Sequence, residues 1–203
     1  MTIIGNMSSI FIFIGRSGCG KGTQAELLQK FLEEKGERVL YVETGHLFRD
    51  FITGDTFSQK KSKALYETSV RQPDFLACHM WSHLLLKSYE KGMSAILDGT
   101  PRSLAEALVL ESAFNFFEFE HKYILHLDVS REWAEDRLLN RGRLDDSSKE
   151  KIGKRLDWFD KDVVPAIEYF KNNPSAELLS INGEQDIESV HADIVKTIAV
   201  SFS

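Results

Sequence analysis

The stretch Gly15-Arg16-Ser17-Gly18-Cys19-Gly20-Lys21-Gly22-Thr23 combines closely spaced glycines with one lysine and two hydroxyl residues. Glycines allow the backbone torsions that turn successive N–H groups inward, and a helix beginning at the end of such a loop adds partial positive charge. Lys21 supplies a full positive charge. That combination cradles a polyphosphate through Gly18, Cys19, Gly20, Lys21, Gly22 and Thr23. The general phosphate-loop pattern places Ser or Thr directly after the lysine, whereas here Gly22 intervenes and the hydroxyl arrives at Thr23. The bland alternative is a glycine-rich turn that holds no ligand.

Two further segments carry charge in patterns that suit phosphate. Arg137 and Arg141 are four residues apart, on one face of a helix, where like charges repel unless an anion lies between them. A solvated surface pair is the plain alternative. Asp98-Gly99-Thr100-Pro101-Arg102 ends an apolar run, so its carboxylate and guanidinium fall where phosphoryl transfer needs a Mg²⁺ anchor and an anion clamp. Its plain alternative is an ordinary strand-to-helix turn.

These segments must be positioned by regular elements. Short apolar runs at Ile10 to Ile14, Val39 to Val42, Ala95 to Leu97, Tyr123 to Val129 and Leu178 to Ile181 alternate with stretches of helical period. That alternation predicts an α/β fold, a three-layer, doubly wound, five-stranded parallel sheet whose ligands bind at the carboxyl ends of the strands. After the first strand, Ala25, Leu28 and Leu32 fall on one helix face, and Gly36 is placed to cap the helix end. No strand signal occurs from Gly45 to Gly92, and Phe75 to Lys91 reads as one long helix, which leaves room for a small helical insertion.

The chain of 203 residues is long enough for one domain with a three-layer core. Its net charge of -6 argues against a general binder of nucleic acid polymers. Cys19 and Cys78 are too few for a disulfide framework or a Cys-only zinc site. No apolar run approaches membrane-spanning length and no basic leader precedes Ile10, so a cytoplasmic location is expected. Residues 1–8 read as an N-terminal extension without a pattern. His79 and His83 lack a third ligand and are expected to pack within a helix rather than hold metal.

From about Ile10 to Val200 the chain resembles the adenylate kinase family, P-loop kinases of nucleoside monophosphates. Gly-x-x-Gly-x-Gly-Lys-Gly-Thr is that family's form of the phosphate loop, and Asp98-Gly99-Thr100-Pro101-Arg102 resembles its Asp-Gly-Phe-Pro-Arg. Thr44-Gly45-His46-Leu47-Phe48-Arg49 is similar to the family's Thr-Gly-Asp-x-x-Arg. Arg137 to Arg143, then Arg143-Leu144-Asp145-Asp146 and Lys154-Arg155-Leu156, resemble its lid segments.

The resemblance implies ATP as donor with Mg²⁺, anchored through water by Asp98, and a nucleoside monophosphate as acceptor. It places Thr44, Gly45, Arg49, Arg102 and Glu106 at the acceptor, with Thr44 against the base and the arginines on its phosphate. It stacks Arg137 on the donor adenine, aims Arg141 at phosphates, and closes Arg143 and Arg155 over the transferred group. Lys21, Arg102, Arg137, Arg141, Arg143 and Arg155 are thus the expected catalytic set. The implied layout is a core of 9–44, 92–140 and 145–200, an acceptor-binding insertion at 45–74 followed by helix 75–91, and a short lid at 141–146.

This sequence departs from the family pattern in places. His46 stands for the usual aspartate, and the spacing from Asp146 to Arg155 is one residue longer. Only Gly142 separates Arg141 from Arg143, so no zinc-binding lid fits, and either extra ATP hydrolysis or help from a neighbouring subunit is expected, with a monomer favoured. Glu106 replaces a glutamine that pairs with adenine. A carboxylate only accepts hydrogen bonds, which suits guanine, while Thr44 points to AMP. AMP is the first reading; GMP, CMP or UMP are alternatives, as are a kinase of a hydroxyl acceptor, which Arg49, Arg102 and Asp98 weigh against, and a nucleotide sensor without turnover.

Overall fold

The computed structural model describes residues 8–141 and 148–201. Five parallel strands form one sheet, β1 (Ser9–Gly15), β2 (Val39–Glu43), β3 (Ser94–Asp98), β4 (His121–Asp128) and β5 (Glu177–Asn182), in the order β2-β3-β1-β4-β5. All five strands read from the sequence are present. The fourth ends at Asp128, which lies opposite Asn182, so Val129 falls outside the ladder.

Alternation along the central strand divides the interior. Phe11 and Phe13 pack with Leu28, Leu138, Leu156 and Ile194, while Ile10, Ile12 and Ile14 pack with Trp81, Leu110 and Phe170. Both faces of the sheet are covered by helices, which is why Ile10 to Ile14 and Ala95 to Leu97 form unbroken apolar runs in its central strands. On the first face lie α1 (Lys21–Glu34), α6 (Arg131–Arg141), α7 (Lys149–Trp158) and α9 (Ile187–Ser201); on the second lie α4 (Asp74–Ser88), α5 (Leu104–Phe116) and α8 (Val164–Lys171). A π-helical turn, Phe159–Val163, joins α7 to α8.

Between β2 and β3 the chain is helical throughout: α2 (Thr44–Phe51), α3 (Phe57–Glu67) and α4. The last ends at Ser88, three residues short of the expected Lys91, because Tyr89 turns to extended backbone. Its ring packs edge-on against Phe117 and Phe119, with centroids 5.2 and 4.9 Å away. Gly36 closes α1 as expected, with φ of 87° and its N–H on the Glu33 carbonyl.

Candidate active site

The sheet order changes direction at β1, and the carboxyl ends of β1 and its neighbour β3 carry the loops read as functional. A cavity of about 830 Å³ opens there. Its wall includes Gly18, Gly20, Lys21, Gly22 and Thr23 from the phosphate loop. It also includes Gly45, Arg49, Asp98, Arg102, Arg137 and Arg155 from other segments.

The loop has the geometry that a bound anion requires. Gly20 precedes α1 in a left-handed conformation and no side chain caps the helix, so its first N–H groups are left for a ligand. Gly18 has φ of 88°, and a Cβ there would sit 2.9 Å from the Ala134 carbonyl and 3.0 Å from Leu138 Cγ. Lys21 Nζ donates to the carbonyls of Gly15 and Arg16 at 2.9 and 2.8 Å, which holds the ammonium over the loop. Cys19 is buried beneath it, off the cavity wall.

Gly22 explains why this loop lacks a hydroxyl directly after the lysine. A Cβ at Gly22 would come within 3.3 Å of Asp98 Oδ2, so glycine keeps clear the space between the helix start and a largely buried carboxylate. A hard cation with its water shell fits such an oxygen-lined gap. Among the described residues no group of three or more His, Cys, Asp and Glu could hold a metal by itself. His79 and His83 stack on each other with ring centroids 5.6 Å apart.

On the wall of the same cavity, two guanidinium groups converge. A Cβ placed on Gly45 would lie 3.2 Å from Arg49 Nη1 and 3.9 Å from Arg102 Nη2, so both arginines border the same small volume. Arg49 is held by Glu43 at 2.6 Å, and Arg102 Nε donates to the Gly99 carbonyl at 2.7 Å. Burial pulls the Arg102 guanidinium below its ordinary value; Glu106 and Asp98 oppose this, while the like charges of Arg155 and Arg71 add to it. Cations gathered at mutual cost are the mark of an anion site.

Arg155 Nη2 donates to the Ser17 hydroxyl at 3.2 Å, and Arg137 lies 4.3 Å from the centre of the Trp133 ring. Thr44 and Glu106 are not on the cavity wall. Thr44 is fully buried with its hydroxyl unpartnered. Glu106 is 1% exposed, accepts from Thr100 Oγ1 at 2.8 Å, and keeps Oε1 unpartnered. Burial raises its carboxyl above the ordinary value, against the pull of Arg102 and Thr100. His46 is exposed and pairs with Asp50 at 3.2 Å. Arg143 and the Arg141 side chain lie outside the described residues.

Sequence reading passed over two arginines here. Arg16, within the loop, donates from Nε to the Val129 carbonyl at 3.2 Å, pairs with Asp160 at 2.6 Å and covers the Phe159 ring, tying the π-helical turn to the phosphate loop. Arg71 stands on the cavity wall and contacts Asp74, Asp162 and Glu106. Its legible signal was a cation just ahead of the Pro73-Asp74 helix start, where the helix dipole favours acids.

A five-stranded parallel sheet, a glycine loop feeding a helix at the switch in strand order, and arginines lining the same cavity as that loop define a P-loop phosphotransferase. Comparison with known proteins narrows this. The family model for adenylate kinase matches residues 13–175. An adenylate kinase of Prochlorococcus marinus (strain MIT 9301) is 33% identical over 193 residues, 95% of this chain and 100% of the relative. Adenylate kinase 1 of Nostoc sp. (strain PCC 7120) is 31% identical over 92% of this chain and 97% of its own, and the adenylate kinase of Oenococcus oeni 28% over 95% and 99%. The chain belongs to the adenylate kinase family.

Proposed function

We propose that this chain transfers the terminal phosphoryl group of Mg-ATP to AMP, giving two molecules of ADP. The observation that carries this reading is the convergence of Arg49 and Arg102 on one volume, in the cavity that Lys21 and the open end of α1 also line. One anion site would serve a nucleotide binder; two in one cavity serve a transfer between phosphates.

Phosphoryl transfer asks mainly for alignment and for neutralisation of charge on the equatorial oxygens. Gly18, Cys19, Gly20, Lys21, Gly22 and Thr23 hold the donor phosphates through backbone N–H groups, the Lys21 ammonium and the Thr23 hydroxyl. Arg49 and Arg102 grip the acceptor phosphate above Gly45, with Thr44 and Glu106 behind them. The acceptor is already an ionised phosphate oxygen, so no base has to remove a proton. Arg155 and Arg137 reach the donor, with Arg141 and Arg143 completing the closure, and planar guanidinium forks suit that task. Asp98 would hold Mg²⁺ through its water shell, and the ion would neutralise phosphate charge.

The segment 45–74 with the rest of α4, through Ser88, forms the acceptor-binding insertion, 141–146 a minimal lid without zinc, and 9–44, 92–140 and 145–200 the core. We place the chain in the cytoplasm, acting as a monomer; among the described residues no helix is long and apolar enough to cross a membrane. A coupled assay with Mg-ATP against AMP, GMP, CMP and UMP tests the reading. ADP formation with AMP is expected. Phosphorylation of nucleosides but not of monophosphates would overturn it.

A further inference from the structure

Arg71 occupies the cavity wall beside the acceptor arginines, and nothing in the reaction derived above uses it. Three segments fix its guanidinium. Asp74, at the start of α4, binds Nη1 and is itself held by the Ser103 hydroxyl at 2.7 Å; Asp162, on the π-helical turn, lies 3.3 Å from Nε. Glu106 Oε1 lies 3.7 Å from Nη1 and has no hydrogen-bond partner. Nη2 has no protein partner among the described residues. Ser69, also on the wall, is 3% exposed and its Oγ is unpartnered.

A buried polar atom without a partner is costly, so polar groups left over at a cavity wall are complementary to a polar ligand edge. The groups left over here have definite polarity. A guanidinium only donates hydrogen bonds, and an ionised carboxylate only accepts them. The guanine edge presents the O6 carbonyl beside N1–H and N2–H, which is acceptor next to donors. Adenine presents an amino donor where guanine has O6, and a guanidinium, which only donates, cannot pair with it.

We propose that Arg71, backed by Glu106, reads the acceptor base and admits guanine alongside adenine, so that GMP is a second acceptor. Arg71 Nη2 donates to O6, while Glu106, behind the wall with Oε1 3.7 Å from Nη1, holds the guanidinium in place. The transfer is that of the proposed function: the bond from the γ-phosphorus to the ADP leaving oxygen breaks, and one to a GMP phosphate oxygen forms, giving ADP and GDP. The inference rests on that function, since it needs the acceptor nucleotide to lie between Arg49, Arg102 and Arg71.

The test is kcat/KM of the full chain for AMP, GMP, CMP and UMP with saturating Mg-ATP, for the wild type, Arg71→Leu and Arg71→Gln. GMP is expected to exceed both pyrimidine nucleotides in the wild type, and the ratio of GMP to AMP is expected to fall at least about tenfold in both variants, the usual range for one well-made base contact. Turnover of AMP with none of GMP in the wild type sinks this inference alone. A GMP-to-AMP ratio unchanged by either substitution does so too. No turnover of any monophosphate removes the proposed function and this inference together. Should Arg71→Leu fail to fold, the wild-type ranking and Arg71→Gln decide.

Discussion

Arg155 on α7 donates from Nη2 to the hydroxyl of Ser17 in the phosphate loop at 3.2 Å, joining positions 138 residues apart. The contact brings a cation from α7 to the phosphate loop. Replacing Arg155 by alanine should lower kcat by about 10²–10³, the usual loss for one preorganised donor to a transition-state oxygen. Ser17→Ala, which removes only the neutral partner, should change kcat far less. Steady-state rates with AMP check both, and near-normal kcat in Arg155→Ala would take that arginine out of the site.

Arg102 shares its small volume with Arg49 and is fixed by the Gly99 carbonyl. Arg102→Ala should cut kcat/KM for AMP by two or more orders of magnitude, about 3 kcal/mol or more of transition-state binding, with circular dichroism unchanged. Retention of ordinary transfer by this variant would show that the acceptor phosphate binds elsewhere.

Gly18→Ala tests the cradle itself. A methyl group there meets the Ala134 carbonyl and Leu138 on α6, from a left-handed backbone that disfavours any side chain. The strain should cost about 1–3 kcal/mol and lower Tm by about 3–10 °C, with loss of ATP binding. A melting curve superimposed on that of the wild type would mean the loop moves freely away from α6.

Glu106 predicts a pH signature. Burial raises its carboxyl above the ordinary value of 4.5 in the folded chain, so the stability linked to its proton is complete below that value and is lost as pH climbs through the folded one. Glu106→Gln should remove this loss. The Tm difference between variant and wild type should therefore grow from pH 4 upward and then level off. A difference independent of pH would mean that Glu106 titrates alike in folded and unfolded chains.

Trp133 lies under Arg137, with the guanidinium carbon 4.3 Å from the ring centre. The indole covers one face of the fork, and the proposed stacking on the donor base would use the other. Trp133→Leu should raise the KM for ATP by about three- to tenfold, as expected for losing about 1 kcal/mol of cation–π orientation, with kcat nearly kept. An unaltered KM for ATP would show that Arg137 needs no such support.

The phosphate loop, the five strands, the helical stretch after β2 and the family were legible because each is local. Glycine spacing, apolar alternation and charged residues a few positions apart all write their consequences into contiguous sequence. The end of α4 was misjudged by three residues because Tyr89 leaves the helix for an aromatic cluster contributed by residues near 117. No helical pattern contains that information.

Tertiary structure alone settled which charges face the cavity. Glu106 was read at the acceptor; folding sets it 1% exposed against Thr100, behind the wall on which Arg71 stands. Arg71 is held there by carboxylates from three different elements, and Arg16 likewise by a strand end and a π-helical turn. Spacing along the chain specifies what one segment can do. Which side chain reaches a shared space depends on burial and charge balance among segments far apart in sequence, and those are fixed only when the sheet brings them together.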